Sequence, residues 1–124
     1  LSLRERFSGE IWTVVRVSGS SLEPVSETVL AAVDAVVFDT AVAGRAGGTG
    51  VAFDWSSSAG AVRACSARVP VVLAGGLRPA NVQEAVRLLA PRVVDVSSGV
   101  ESAPGIKDPE LMRAFALAAR ANEE

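Results

Sequence analysis

Short runs of β-branched and other apolar residues alternate along the chain with longer segments in which apolar residues recur every three to four positions. These runs predict four strands, at residues 11–17, 35–39, 70–74 and 93–96. Strands that are apolar on both faces are typical of a parallel sheet covered by helices. The pattern therefore predicts an α/β fold made of four consecutive units, each a strand followed by a helix.

Helices are expected after each of these strands, at residues 22–33, 57–68, 79–89 and 109–121. Their apolar faces follow the helical period, as Val82, Val86 and Leu89 do in the third helix. Pro79 is expected to be the first residue of that helix and Asp108 the N-cap of the last one, because proline suits the first turn and aspartate the cap.

Composition narrows the functional classes. The 124 residues suffice for one modest domain, and 12 basic against 14 acidic side chains give a net charge of −2. No field of one sign marks a nucleic-acid or membrane-surface binder, and no apolar run approaches the roughly 20 residues of a membrane span. No basic leader precedes an apolar stretch. We therefore expect neither nucleic acid nor membrane as a partner.

The cysteine and histidine content limits the disulfides and metal sites that the chain can form. Cys65 is the only cysteine and the chain has no histidine, so neither an intrachain disulfide nor a Cys/His metal site can form. Cys65 lies within a predicted helix and has no basic neighbour one turn away that would clearly form a thiolate, which indicates a buried packing residue rather than a nucleophile. A reducing, cytoplasmic compartment is expected.

Two carboxylates are placed at the carboxyl ends of predicted strands, the edge at which parallel α/β folds place their sites. Asp39 ends its strand after four apolar residues, where partial desolvation favours a proton-donating carboxyl group, so it is a candidate general acid. The alternative is an aspartate that only accepts hydrogen bonds from the next loop. Asp95 lies within an apolar run, where a carboxylate is costly without partners, so it is a candidate ligand-binding residue.

Two small-residue turns follow the third and fourth strands, namely Gly75-Gly76 and Ser97-Ser98-Gly99. Glycine lets backbone amides approach an anion, and hydroxyl groups add donors, so the two turns together predict a phosphate site. Many (β/α)8 barrels bind phosphate with the loops after their last two strands. The alternative is that the glycines simply turn the chain.

A long glycine-rich loop follows the second strand and contains Gly47, Gly48, Thr49 and Gly50. No lysine follows these residues, so the loop lacks the P-loop pattern. Long loops of this kind are usually functional, and we interpret residues 41–51 as a lid over the site. A passive flexible loop is the alternative.

With these residues assembled, the chain resembles the phosphoribosylanthranilate isomerase family of tryptophan biosynthesis. The resemblance rests on four blocks that occur in the family's order and spacing and that cover nearly all of residues 10–120. The blocks are residues 37–40, 47–55, 73–82 and 94–108.

The resemblance implies a TIM-barrel enzyme that needs no metal or cofactor. It implies an Amadori rearrangement of N-(5-phosphoribosyl)anthranilate to 1-(2-carboxyphenylamino)-1-deoxyribulose 5-phosphate, with Asp39 as the acid that protonates the furanose ring oxygen. It also implies that Asp95 lines the sugar site and that the two small-residue turns bind the phosphate. Two departures are visible. Thr13 stands where the family often has lysine, and the family's general base, a cysteine on the first strand, has no counterpart here.

The four units match the last four strands of the family. The resemblance therefore implies that residues 1–124 are the C-terminal half of one (β/α)8 barrel, inactive alone, in keeping with a chain that does not begin with Met. The N-terminal half is expected from the same protein, a second chain or a homodimer mate, because a half-barrel exposes sheet edges and an apolar inner face. The alternatives are a non-catalytic half-barrel that binds a sugar phosphate or only assembles, and a sister phosphosugar barrel.

Overall fold

The computed structural model describes residues 2–17, 25–40 and 55–122. Its centre is a four-stranded parallel sheet in the order β1-β2-β3-β4, which confirms the predicted α/β architecture. Each strand pairs with the next strand along the chain, so a crossover connection joins each pair. The strands are β1 (Trp12–Arg16), β2 (Ala35–Asp39), β3 (Val71–Ala74) and β4 (Val93–Val94).

The described helices are α1 (Leu3–Arg6), α2 (Glu27–Ala32), α3 (Trp55–Ser66), α4 (Val82–Leu89) and α5 (Pro109–Arg120). A 3₁₀ helix (Ser98–Val100) and an antiparallel hairpin of β5 (Glu101–Ala103) and β6 (Ile106–Lys107) lie between β4 and α5. The sequence pattern predicted neither α1 nor the hairpin, because elements of two to four residues are too short to show a hydrophobic period.

One face of the sheet is packed against the helices. Register pairs Val15 with Phe38 and Phe38 with Leu73, and register partners in a parallel sheet point to the same face. Phe38 and Leu73 are at most 1% exposed and belong to the same buried cluster as Val62 of α3 and Phe115 of α5. The hydrophobic core therefore lies between this face and the helical layer.

The opposite face is left open by the described helices. Register pairs Val14 with Val37, Val37 with Val72 and Val72 with Val93 on this side. Val14 is 57% exposed, Val93 is 42% exposed and Trp12 is 47% exposed. These apolar side chains lie outside the hydrophobic cluster. Val72 between them is only 3% exposed, so within the described residues this open face is exposed mainly at its two edge strands.

Several predicted element boundaries need correction. Asp108 is the N-cap of α5 as predicted, since its side chain accepts hydrogen bonds from Glu110 N at 2.9 Å and Leu111 N at 3.4 Å. Pro79, however, is not the first residue of α4. Asn81 accepts a hydrogen bond from Arg78 N at 2.7 Å, and this side-chain contact forms a turn that delays the helix to Val82.

Two further boundaries differ. The helix expected from residue 22 begins at Glu27 with Ser26 as its N-cap, and residues 18–24 lie outside the described part of the chain. The strand expected over 93–96 ends at Val94, so Asp95 follows β4 instead of lying within it. The ladder stops there because β3 ends at Ala74 and turns at Gly75, which has a φ of 84°.

Candidate functional site at the carboxyl edge of the sheet

Four residues lie at the carboxyl ends of the four strands. Register pairs Arg16 with Asp39 and Asp39 with Ala74. Asp95 directly follows the last pair between β3 and β4, and its N–H donates to Leu73 O at 2.9 Å. We call Arg16, Asp39, Ala74 and Asp95 the charged row.

The charged row brings the two predicted carboxylates to one edge with a gap between them. Adjacent strands lie about 4.8 Å apart, so the backbones of Asp39 and Asp95 are separated by about 10 Å. Ala74 fills this interval with a single methyl group, while Asp39 is half-buried and Asp95 is exposed. The two carboxylates therefore lie at the same edge of the sheet, two strands apart.

The backbone of Asp39 is held from both neighbouring strands. Val17 N donates to Asp39 O at 3.0 Å, and Thr40 N donates to Ala74 O at 2.9 Å. The buried Thr40 hydroxyl also donates to Ala74 O at 3.2 Å and to Gly75 O. Thr40 therefore ties the end of β2 to the start of the first glycine turn. From the sequence, Thr40 was noted only as part of a motif. A polar residue directly after a buried strand is nevertheless a signal for this role.

The first predicted phosphate turn has the backbone that glycine permits. Gly75 and Gly76 have φ values of 84° and 70°, in the left-handed region that other residues avoid. The Asn81 amide nitrogen donates to Gly76 O at 3.0 Å and fixes the turn. The amides of Gly75 and Gly76 donate to no oxygen of the described residues, and a Cβ at Gly76 would meet open space. The turn therefore keeps two backbone N–H groups without an acceptor among the described residues.

The second predicted phosphate turn packs directly against the first. A Cβ added at Gly99 would lie 1.8 Å from Leu77 O and 3.2 Å from Arg78 Cγ. Only glycine allows this approach of the two backbones. The structure thus brings Gly75-Gly76 and Ser97-Ser98-Gly99 to one place beside the charged row. Arg78 lies next to these turns and was not predicted as a site residue from the sequence.

Lys107 is a further residue that the sequence did not single out. Its Nζ donates to Ser97 O at 2.8 Å, to Ser97 Oγ at 3.3 Å and to Glu101 Oε2 at 2.6 Å. The hydrogen bond from Lys107, with a further one from the amide of Gly105, lowers the pKa of Glu101. The hairpin makes this contact, and because hydrophobic periodicity did not predict the hairpin, no signal pointed to Lys107.

The remaining predictions from the sequence concern the lid, Cys65, metal sites and membrane spans. Gly47, Gly48, Thr49 and Gly50 of the predicted lid lie outside the described residues. Cys65 is 5% exposed, and burial raises the pKa of its thiol, which confirms the packing role. Across the described ranges, no three potential metal-ligating side chains cluster. None of the helices in these ranges has the length and apolar character to cross a membrane.

A parallel sheet with helices on one face, and with a carboxylate row and two glycine turns at the carboxyl ends of its strands, defines an α/β protein of the TIM-barrel type. Comparison with known proteins gives the family. The chain belongs to the N-(5'phosphoribosyl)anthranilate (PRA) isomerase family, whose sequence profile matches residues 7–118.

Individual relatives agree. The chain is 42% identical over 128 residues to the N-(5'-phosphoribosyl)anthranilate isomerase of Haloferax volcanii, covering 97% of this chain and 57% of the relative. The phosphoribosylanthranilate isomerase structure from Thermotoga maritima superposes with a TM-score of 0.67 at 34% identity, over 89% of this chain and 51% of that one.

A third match carries a ligand. A phosphoribosylanthranilate isomerase structure in complex with reduced 1-(o-carboxyphenylamino)-1-deoxyribulose 5-phosphate matches with a TM-score of 0.64 at 31% identity, over 94% of this chain and 50% of that one. The chain spans about half the length of the curated relatives it matches.

Proposed function

We propose that this chain is the C-terminal half of a (β/α)8 barrel that isomerises N-(5-phosphoribosyl)anthranilate to 1-(2-carboxyphenylamino)-1-deoxyribulose 5-phosphate in tryptophan biosynthesis. The observation that carries the proposal is the charged row, in which Asp39 and Asp95 lie at the carboxyl edge of the sheet beside two glycine turns. Membership of the family supports it, as does the match to a structure that binds a reduced 1-(o-carboxyphenylamino)-1-deoxyribulose 5-phosphate.

Asp39 is the general acid in this proposal. Its protonated carboxyl group donates to the furanose ring oxygen as the bond between C1 and that oxygen breaks, and the nitrogen lone pair forms the C=N bond of a Schiff base. A general base then removes the C2 proton, and ketonisation of the resulting enol gives the product.

Binding is divided along the edge of the sheet. The N–H groups of the turns at Gly75-Gly76 and Ser97-Ser98-Gly99 hold the phosphate, because backbone N–H groups in glycine-rich turns suit a dianion. Asp95 accepts hydrogen bonds from the sugar hydroxyls. The loop containing Gly47, Gly48, Thr49 and Gly50 closes over the substrate as a lid. No metal or cofactor takes part in these steps.

The missing general base is proposed to come from the N-terminal half of the barrel, where the family has a cysteine. Cys65 cannot replace it because it is buried in α3, on the packed side of the sheet. The exposed Trp12, Val14 and Val93 form the surface that this half covers, since such apolar side chains on one sheet face are typical of an interface. We propose a cytoplasmic location, in keeping with a single buried thiol.

The test is Asp39→Asn in the full-length protein that contains this chain. Removing a general acid lowers the rate by about 10²- to 10⁴-fold, so we expect a kcat loss in that range with near-normal phosphate binding. Steady-state kinetics with N-(5-phosphoribosyl)anthranilate measures the loss. Growth without tryptophan of a bacterium that lacks the isomerase provides a second readout.

Asp34→Asn is the matched control, since Asp34 precedes the same strand at its other end. Its carboxylate accepts hydrogen bonds from Ile11 N and Arg4 at 2.8 Å, and an asparagine oxygen still accepts the first of them. We expect unchanged turnover in this variant. A wild-type protein that binds phosphate without turning over the substrate would contradict the isomerase proposal and support a non-catalytic binder.

A further inference from the structure

We propose that Lys107 and Glu101 are positioning residues for the phosphate site, and that they act by fixing the orientation of Ser97 and of the peptide that follows it. This inference rests on the proposed function, because it explains how the second turn of that site is held. Neither residue contacts the reacting atoms in this view. The hairpin of β5 and β6 is then a support for the turn.

The ammonium group of Lys107 is fully occupied by protein acceptors. An ammonium group has three N–H donors and no acceptor. In Lys107 the three are matched by Glu101 Oε2 at 2.6 Å, Ser97 O at 2.8 Å and Ser97 Oγ at 3.3 Å. Since all three contacts direct the ammonium group toward Ser97 and Glu101, Lys107 acts on an anion through Ser97 in this proposal.

Glu101 fixes the lysine in turn. Its second oxygen, Oε1, accepts a hydrogen bond from Gly105 N at 3.1 Å, and Gly105 has a φ of 80° at the hairpin turn. The Glu101 side chain is 14% exposed, against 45% for Lys107. Its lowered pKa keeps the carboxylate ionised at neutral pH. One carboxylate therefore joins the turn of the hairpin to the lysine that holds Ser97.

The orientation of the peptide bond between Ser97 and Ser98 connects the Lys107 contact to the proposed phosphate site. The carbonyl and N–H groups of a trans peptide point in opposite directions. Because Ser97 O points toward Lys107, the N–H of Ser98 points away from the hairpin, and it donates to no oxygen of the described residues. Loss of the lysine contact frees this peptide to rotate, and the Ser98 donor loses its fixed direction.

A direct role of Lys107 as a phosphate ligand makes the opposite prediction for Glu101→Gln. That change removes a negative charge near the site and releases the lysine, so a direct role predicts tighter phosphate binding. A positioning role predicts weaker binding, because the lysine loses its anchor. The sign of the change separates the two.

The experiment uses the full-length protein and measures the Kd of inorganic phosphate by calorimetry, together with KM, kcat and thermal unfolding. We expect Glu101→Gln and Lys107→Met each to raise the phosphate Kd and KM about tenfold, a change of about 1.4 kcal/mol, with kcat changed less than about threefold. Lys107→Arg, which keeps the charge and donors, should recover most of the affinity. Lys107→Gln replaces Lys107→Met if that variant does not fold.

The exposed pair of Glu84 and Arg87 on α4 is the matched control, since it is a salt bridge of 2.6 Å remote from the hairpin. Glu84→Gln and Arg87→Met should leave the phosphate Kd unchanged. Tighter phosphate binding in Glu101→Gln, or an unchanged Kd in both Glu101→Gln and Lys107→Met, would overturn the inference. Absence of turnover in the wild type would refute the proposed function alone, because phosphate binding is measured without turnover.

Discussion

The lack of a side chain at Gly99 allows two parts of the proposed site to pack closely together. The backbones of the two glycine turns meet there, at a separation that no Cβ can enter. The obstacle is the backbone oxygen of Leu77, which cannot move aside as a flexible side chain would. The close approach holds Gly99 against Leu77, the residue that directly follows the Gly75-Gly76 turn.

Gly99→Ala is expected to destabilise the protein by about 1–3 kcal/mol and to weaken phosphate binding, because the added methyl group pushes the turns apart. Gly60→Ala is the control, since a Cβ at Gly60 would meet nothing within 4 Å. In the middle of α3 this change is expected to stabilise by about 0.5–1 kcal/mol. Urea denaturation of the full-length variants measures both. Equal effects of the two substitutions would contradict the packing argument.

Part of the site at this scale was predictable from the sequence. The positions of Asp39, Asp95 and the small-residue turns follow from strand ends alone, because the carboxyl ends of parallel strands share one edge. The contacts of Arg16, Arg78 and Lys107 were not predictable, since each depends on strand register or on the hairpin. The catalytic and binding roles of the predicted residues stay predictions.

Helices and strands with strong local sequence signals were predicted more accurately than those with weak signals. Strand β2 was predicted with its observed bounds and α5 with its observed start, because an apolar run and a capping aspartate followed by proline mark them clearly. The start of α4 was wrong because a side-chain contact of Asn81 overrides the preference of Pro79 for the first turn. The hairpin and α1 had no periodic signal.

The cap of α5 can be tested by itself. Asp108→Ala removes the side-chain acceptor for the amides of Glu110 and Leu111, and a lost cap of this kind costs about 1 kcal/mol of stability. Asp108→Asn keeps a capping oxygen and should cost no more than a few tenths of that amount. Denaturant midpoints of the two variants provide the comparison. A loss of equal size in both would mean that the carboxylate charge, not the cap, is the stabilising feature.

For the whole molecule, the central feature is the difference between the two faces of the sheet. The packed face has buried partners from the helices, whereas Val14 and Val93 on the other face are about half exposed. The apolar runs alone do not distinguish one face from the other, and the exposed apolar inner face was expected only from the resemblance to half of a barrel. The exposed face and the length of the relatives together support the half-barrel proposal.

Val14→Asp in the full-length protein tests whether this face is covered there. If the N-terminal half packs on it, the substitution buries an unpaired charge and should cost about 3 kcal/mol or more. Val29, which is 36% exposed on α2, serves as the control, and Val29→Asp should cost about 1 kcal/mol or less. Thermal or urea unfolding distinguishes the two. Similar small losses would show that Val14 remains in water.

The strands lie in the sheet in the order in which they occur in the chain, and this order determines what would change if the proposed N-terminal half docked imperfectly. Because each strand pairs with its nearest neighbour in the chain, the residues proposed to bind the sugar and phosphate and to donate the first proton keep fixed mutual positions within one segment. A second half that docks slightly out of place would shift only the group that abstracts the C2 proton. Such an error would slow the later chemical step while the substrate is still held with nearly its full affinity.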